Sequence, residues 1–334
     1  MTNSIGLREA VFGLGAIAVA ATAAGLARAK SQTGQEVRFF ARLEEGRWVA
    51  LIDPATGAGR RVYRSEADAL DALSIGPGQE RIALLEMSAK DRGGDPAHTS
   101  ELVVIDPEGR MVVRIDRNIQ RYAWCGDSCL AYISGEYYEG GVGFKPTGAF
   151  VHNLVTREER FVPDVPLAYD LTWAPFDSSV YFKSLGRPSG ENVYRFHLST
   201  GIVSATSYKD FGFSPSGKYY LQMRGENNDT TRLFETRSNR SVPLPDRRTV
   251  GDPGGWVFTE GNFMLFARRH APQTQDRSEQ GIKVGRPPTA EYTVWNVESR
   301  RVSRRLSGEI LPWARPRGVI PVLSGGRIDV LAHP

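Results

Sequence analysis

The chain has 334 residues, of which 40% are hydrophobic and 24% are charged, and its formal net charge is +4. The 42 basic and 38 acidic side chains nearly balance, which argues against the strongly basic surface of a nucleic-acid-binding protein. Length and composition therefore predict a globular chain of one or two domains, and we expect no nucleic-acid partner.

The N-terminus has the layout of an export signal. An uncharged run over residues 10–27 is preceded by Arg8 and ends at the small-residue site Ala27-Arg28-Ala29. We predict a signal peptide over residues 1–29, cleaved after Ala29, and an exported protein that is periplasmic or secreted. The alternative is a membrane anchor formed by residues 10–27, because 18 residues lie at the short limit of a spanning helix. Without residues 1–29 the net charge is +3.

A bulky apolar residue followed by a turn rich in Pro, Gly, Ser and Asp recurs six times, about every 40 to 55 residues. We call these apolar residues the anchors. The copies read Ile75-Gly-Pro-Gly-Gln, Trp124-Cys-Gly-Asp-Ser, Trp173-Ala-Pro-Phe-Asp, Phe213-Ser-Pro-Ser-Gly, Phe258-Thr-Glu-Gly-Asn and Trp313-Ala-Arg-Pro-Arg-Gly. Such a period predicts an all-β fold, a β-propeller, in a single domain over residues 30–334.

Hairpin patterns alternate with the anchors, so the blades are predicted to have four strands each. The first hairpin, from Trp48, precedes every anchor, whereas the last anchor, Trp313, has no hairpin after it. We therefore expect six blades, with one blade shared between the N- and C-terminal strands. Seven blades is the alternative, because Val37–Leu43 and Arg327–Ala332 each have the pattern of a further strand.

Cys125 and Cys129 are the two cysteines of the chain and flank the turn Gly126-Asp127-Ser128. Opposed positions in a hairpin lie within disulfide reach, and an exported chain meets an oxidising compartment. We predict a structural disulfide. The alternative is a Cys-x-x-x-Cys metal or redox site, which lacks a nearby His or further Cys.

The repeats at Phe213-Ser-Pro-Ser-Gly-Lys and Trp173-Ala-Pro-Phe-Asp-Ser resemble those of TolB-like propellers, which read aromatic-Ser-Pro-Asp-Gly-Lys. The resemblance covers nearly all of the mature chain as architecture, and Phe213–Lys218 matches most closely. It implies a propeller fold and does not decide between binding and catalysis.

Catalytic motifs are absent from the sequence. Gly212-Phe-Ser214-Pro-Ser216 lacks the final glycine of a nucleophile elbow and lies in a repeat turn, and the five histidines do not pair at metal-ligand spacing.

Alignment of the repeats predicts a charged cluster at one mouth of the central channel. The inner strands should bring together residues that lie just before each anchor, namely Asp71, Arg121, Tyr169, Asp170, Asp210 and Asp252. Such a mouth suits a cation, an amine or a basic peptide segment. The alternative is that these are solvated charges or ion pairs such as Arg121 with Asp170. No cofactor is predicted, with Ca²⁺ held by Asp71, Asp170, Asp210 and Asp252 as the alternative.

A glycine-rich excursion carries Tyr137, Tyr138 and Phe144, a composition suited to partner recognition. We therefore expect a monomeric, non-catalytic module that binds an envelope or extracellular protein or peptide. The alternative function is a lyase, lactonase or glycosidase acting on a small molecule or carbohydrate, with Asp170 and Asp210 as acid and base.

Overall fold

The strands form a β-propeller. The computed structural model describes residues 37–92, 95–137, 144–186, 190–208, 212–214, 216–222, 232–245, 258–259, 263–269, 290–310, 320–324 and 327–331. These ranges contain 25 strands and no helix, and adjacent strands are antiparallel. In this part of the chain, therefore, no helix is present that is long and apolar enough to cross a membrane. The predicted signal at residues 1–29 lies outside the described residues.

The strands of the described residues form six sheets, one for each blade. The first three blades contain β1 (Phe40–Glu44), β2 (Trp48–Ile52) and β3 (Gly59–Arg64); β4 (Ala69–Ile75), β5 (Ile82–Arg92), β6 (Asp95–Ile105) and β7 (Met111–Ile115); and β8 (Ile119–Trp124), β9 (Cys129–Tyr137), β10 (Phe144–Asn153) and β11 (Glu159–Val162).

The other three contain β12 (Ala168–Ala174), β13 (Ser179–Gly186), β14 (Gly190–His197) and β15 (Val203–Ala205); β16 (Gly212–Phe213), β17 (Tyr219–Gln222), β18 (Arg232–Glu235) and β19 (Ser241–Val242); and β20 (Phe258–Thr259), β21 (Phe263–Arg269), β22 (Ala290–Asn296), β23 (Arg301–Ile310), β24 (Ile320–Ser324) and β25 (Arg327–Leu331). The prediction of an all-β, six-bladed propeller is confirmed.

One turn of the backbone repeats in all six blades, directly before β3, β7, β11, β15, β19 and β23. Each copy contains a residue with positive φ, namely Gly57 (70°), Gly109 (83°), Arg157 (65°), Gly201 (70°), Asn239 (53°) and Arg300 (55°). Glycine fills three of these positions because it adopts left-handed φ without a steric penalty. Arginine occupies two of them, where a side chain makes the same conformation costly.

The hydrophobic cores lie between neighbouring blades, where the face of one sheet meets the next. Leu85 and Leu102 of the second blade, for example, pack with Leu130 and Tyr132 of the third. The four anchors whose side chains are described, Ile75, Trp124, Trp173 and Phe213, lie in these interfaces. Trp124 is 9% exposed and donates from Nε1 to Ser74 Oγ of the preceding blade at 3.0 Å. The motif recognised in the sequence is thus an inter-blade contact.

The two ends of the described chain meet where the sixth blade packs against the first. The hairpin of β24 and β25 hydrogen-bonds to the end of β23, where Glu309 pairs with Leu323 and Ile310 with Val322. Ile328 of β25 packs against the cluster formed by Val37, Phe40, Ala50 and Ile52 of the first blade. The last anchor, Trp313, lies outside the described residues.

Candidate functional site

Three predicted site residues occupy one level of three consecutive inner strands. The anchors Ile75, Trp124 and Trp173 pair with Ile82, Leu130 and Val180. These partners lie in β5, β9 and β13, the second strand of each blade. Three residues later in the same strands, Leu85 pairs with Asp71, Ile133 with Arg121 and Lys183 with Asp170. We call Asp71, Arg121 and Asp170 the inner row. The repeat register of the sequence predicted this alignment.

Each residue of the inner row lies at an interruption of the strand pairing. The register shifts between Ile119 and Arg121 in β8, and between Ala168 and Asp170 in β12. In β4 the register shifts on the C-terminal side of the inner-row residue, between Asp71 and Ser74. A β-bulge bends its strand and redirects the side chains beside it, and bulges are common next to functional sites.

The charges of the inner row are not neutralised against one another. Arg121 is exposed and, among the described residues, forms neither an ion pair nor a side-chain hydrogen bond. Asp71 is also exposed, and its Oδ1 accepts from the amide of Ala72 at 2.7 Å. Asp170 makes the equivalent bond, accepting from Leu171 N at 2.9 Å. An ion pair between Arg121 and Asp170 is therefore not formed.

Tyr122, next to Arg121, fastens the inner row to the preceding blade. Its hydroxyl accepts from Ser74 Oγ at 2.9 Å and lies within hydrogen-bond distance of the carbonyl oxygens of Ala72 and Ala83. Burial raises the pKa of the Tyr122 hydroxyl, with Asp71 adding to the effect. Tyr122 therefore fixes the bulge of β4 that carries Asp71, and it does so as a neutral hydrogen-bonding group.

The remaining predicted site residues are only partly described. Asp210, Asp252 and Tyr138 lie outside the described residues, as does the side chain of Tyr137. Tyr169 is the extra residue in the bulge of β12 and is half-buried. Phe144 is half-buried at the start of β10 and packs against the core between the third and fourth blades. These residues stay predictions.

Cys125 and Cys129 form a disulfide, with Cα atoms 4.9 Å apart and the amide of Cys125 donating to the carbonyl of Cys129. The disulfide predicted from the hairpin is confirmed. Arg81 of the second blade donates to the carbonyl of Asp127 at 2.9 Å, so the closed turn also contacts its neighbour.

A charged cluster that the sequence analysis missed lines a cleft of about 490 Å³ between the first two blades. Glu86, only 4% exposed, accepts from Tyr63 Oη at 2.7 Å and pairs with Arg114 Nη2 at 2.8 Å. Arg114 Nη1 also pairs with Glu101 at 2.6 Å. Burial, and then the bond to Glu86, raises the pKa of Tyr63.

Because each charge of this cluster has a partner, we assign it a structural role. A charged residue such as Glu86 at the end of an apolar run was the signal for it in the sequence. Among the described residues, no group of three or more His, Cys, Asp or Glu side chains is arranged to hold a metal ion.

Comparison with known proteins shows the fold and nothing finer. No protein-family model matches the chain, and no curated protein matches it. Two similar solved structures are oligogalacturonate lyases. One, in complex with manganese, has 14% identity and a TM-score of 0.54 over 78% of this chain and 75% of the lyase. The other, from Vibrio parahaemolyticus, has 10% identity and a TM-score of 0.51 over 72% of each chain.

TolB from Acinetobacter baumannii aligns with 83% of this chain at 12% identity and a TM-score of 0.47, and the chain spans 64% of the TolB structure. The six sheets show that the protein is a β-propeller, and its resemblance to TolB-like propellers is one of fold alone. Identities this low carry no information about ligands or reactions.

Proposed function

We propose that the protein is an exported, non-catalytic propeller that binds a protein or peptide partner at the channel mouth formed by the inner row. The observation that supports it is the placement of Asp71, Arg121 and Asp170 at one level of neighbouring strands, each beside a bulge. Three charged side chains lie at one level, and among the described residues Arg121 forms no ion pair, which leaves its guanidinium available to a ligand.

The charge pattern selects the ligand class. Two carboxylates flank one guanidinium, so a complementary ligand offers cationic groups for Asp71 and Asp170 and an anionic group for Arg121. A peptide segment with Lys or Arg on either side of Asp or Glu has this pattern, and its carboxylate could make a bidentate contact with Arg121.

Export is supported by two independent features. The sequence before residue 30 has the order of a secretory signal, and Cys125 and Cys129 form a disulfide, a bond that persists in oxidising compartments. We accordingly place the protein in the periplasm or outside the cell.

The test is selection of peptides from a random library on immobilised residues 30–334. The variant Asp71→Asn/Arg121→Gln/Asp170→Asn removes the charges of the inner row. Glu80→Gln/Glu158→Gln/Arg237→Gln removes the same charges at exposed positions elsewhere. Because truncation of a central charged contact weakens binding strongly, selected peptides should lose about a hundred-fold in affinity for the first variant and keep it for the second.

Two results would contradict this proposal. Equal losses in both variants would show that binding follows net charge alone. Cleavage of an acidic oligosaccharide, dependent on added Ca²⁺ or Mn²⁺ and abolished by Asp170→Asn, would favour the alternative enzymatic function. That outcome would also give a role to Asp210, the predicted second carboxylate.

A further inference from the structure

Strand β23 of the sixth blade and the turn residue before it carry a run of four arginines within six residues, Arg300-Arg-Val-Ser-Arg-Arg305. On one side β23 pairs with β22, where Arg301 faces Asn296, Arg304 faces Val294 and Arg305 faces Thr293. On its other side, the pairing of β23 among the described residues begins only at Glu309. We call Arg300, Arg301, Arg304 and Arg305 the arginine strip.

Among the described residues, the positive charge of the arginine strip is not compensated by a carboxylate. All four side chains are exposed, and within the described ranges none of them forms an ion pair or a side-chain hydrogen bond. Glu298, two residues before the strip, is engaged by Lys218 Nζ at 2.7 Å. Arginines on two other outer strands differ, since Arg61 of β3 and Arg114 of β7 each pair with two carboxylates.

Arg300 shows that this charge is kept at a conformational cost. It has a φ of 55° in the turn that contains glycine in three other blades. Arg157 occupies the equivalent left-handed position, but its side chain donates to the carbonyl of Val112 at 2.8 Å. Arg300 has no such contact in the described fold. A strained residue whose side chain does not support the fold points to a function of that side chain.

Chemistry and position together select the occupant. Four guanidiniums along an edge suit phosphate oxygens spread over a surface. The run contains no aromatic ring on which bases would stack, and its apolar member, Val302, is 37% exposed.

Val37, the first described residue, packs with Ile328 of the hairpin that follows β23, so the described chain starts next to the sixth blade. We infer that the arginine strip holds the edge of the sixth blade against an anionic lipid surface.

The experiment measures binding of residues 30–334, which contain every described strand but lack the run 10–27, to lipid vesicles. Vesicles of phosphatidylcholine with about one third phosphatidylglycerol present the anionic surface, and pure phosphatidylcholine is the neutral reference. Each arginine near such a surface contributes about a five-fold change in affinity, so Arg301→Gln/Arg304→Gln/Arg305→Gln should lose about a hundred-fold. Binding of the unmodified chain should also disappear at about 1 M salt, where the Debye length is about 3 Å.

The matched control is Arg232→Gln/Arg237→Gln/Arg240→Gln, which removes three exposed arginines from the fifth blade. It should keep its affinity for anionic vesicles. The inference is overturned if the control loses as much as the β23 variant, if the β23 variant binds like the unmodified chain, or if the chain prefers duplex DNA to anionic vesicles through the same arginines.

A single substitution guards against failure of the triple variant to fold. Arg300→Gly removes one guanidinium and relieves the left-handed backbone, so it should fold at least as well as the unmodified chain. We expect about a five-fold loss of vesicle affinity. A stable Arg300→Gly variant with unchanged affinity would remove Arg300 from the strip and contradict the role given to its strained position.

Discussion

Two outer strands of this propeller share the tripeptide Arg-Arg-Val and use it differently. In β3, Arg61 pairs with Glu44 and Glu45 and lies over the ring of Trp48, while Arg60 donates to the carbonyl of Pro107. At the start of β23, Arg301 and the preceding Arg300 make no such contacts within the described residues. Charged residues that have partners within the fold can contribute to its stability, whereas those without partners are available to a ligand.

The pKa of Glu44, which pairs with Arg61 of β3, shows the effect of such pairing. Glu44 is mostly buried, which acts to raise its pKa, but hydrogen bonds from Arg61 and Arg42 outweigh burial and hold the pKa below the ordinary 4.5. Arginine neighbours therefore stabilise Glu44 in its charged form. Among the described carboxylates, the arginines of β23 have no counterpart to Glu44.

The largest effect on stability is expected from a paired arginine next to β3. Arg114→Gln leaves the buried carboxylate of Glu86 without its cation, and we expect a loss of about 2 kcal/mol in unfolding free energy. The figure is below that of a fully buried pair because Arg114 is 38% exposed. Urea denaturation measures the change. An unchanged midpoint would show that the ion pairs of Arg114 do not stabilise the fold.

A smaller loss is expected at Glu44. Glu44→Gln removes the charge that Arg61 and Arg42 share, and we expect about 1 kcal/mol at pH 7. Because the folded pKa of Glu44 is lowered, its contribution is complete above pH 4.5 and is lost as the pH falls through the folded value.

The unfolding free energy should thus fall less steeply in acid for Glu44→Gln than for the unmodified chain, measured by urea titration between about pH 6 and pH 3. Parallel curves for the two proteins would show that the pairing of Glu44 with Arg61 and Arg42 does not stabilise the fold. Glu158→Gln, an exposed substitution in the third blade, is the control for a general charge effect.

The smallest effect is a gain. Arg300→Gly should raise the unfolding free energy by up to about 1 kcal/mol, because relief of the left-handed conformation is partly offset by the entropy of glycine. Arg157→Gly, which also loses the bond to Val112, should gain less. A loss of stability in Arg300→Gly would show that Arg300 supports the fold after all.

The sequence predicts the scaffold well because its information is local and repeated. The anchors and turns carry the blade number, and their register aligned Asp71, Arg121 and Asp170 across distant parts of the chain. The bulges beside these residues were not predictable, since they depend on pairing with the second strand of each blade. The hydrogen bonds of Tyr122 to the preceding blade depend on the same pairing.

The sequence also did not predict which charged residues form ion pairs in the fold. The Arg-Arg-Val of β3 and that of β23 look alike as text, and only the positions of Glu44, Glu45 and Trp48 distinguish them. A basic run is therefore a signal for a binding surface only when the fold leaves its charges without partners.

The most direct test compares both strands in the same two assays, urea unfolding and binding to anionic vesicles. The variants are Arg60→Gln/Arg61→Gln/Arg64→Gln in β3 and Arg301→Gln/Arg304→Gln/Arg305→Gln in β23. We predict that the β3 variant loses stability and keeps vesicle binding, while the β23 variant keeps stability and loses vesicle binding. Equal losses of binding in both variants, or a β23 variant as destabilised as the β3 variant, would contradict the division between paired and unpaired charges.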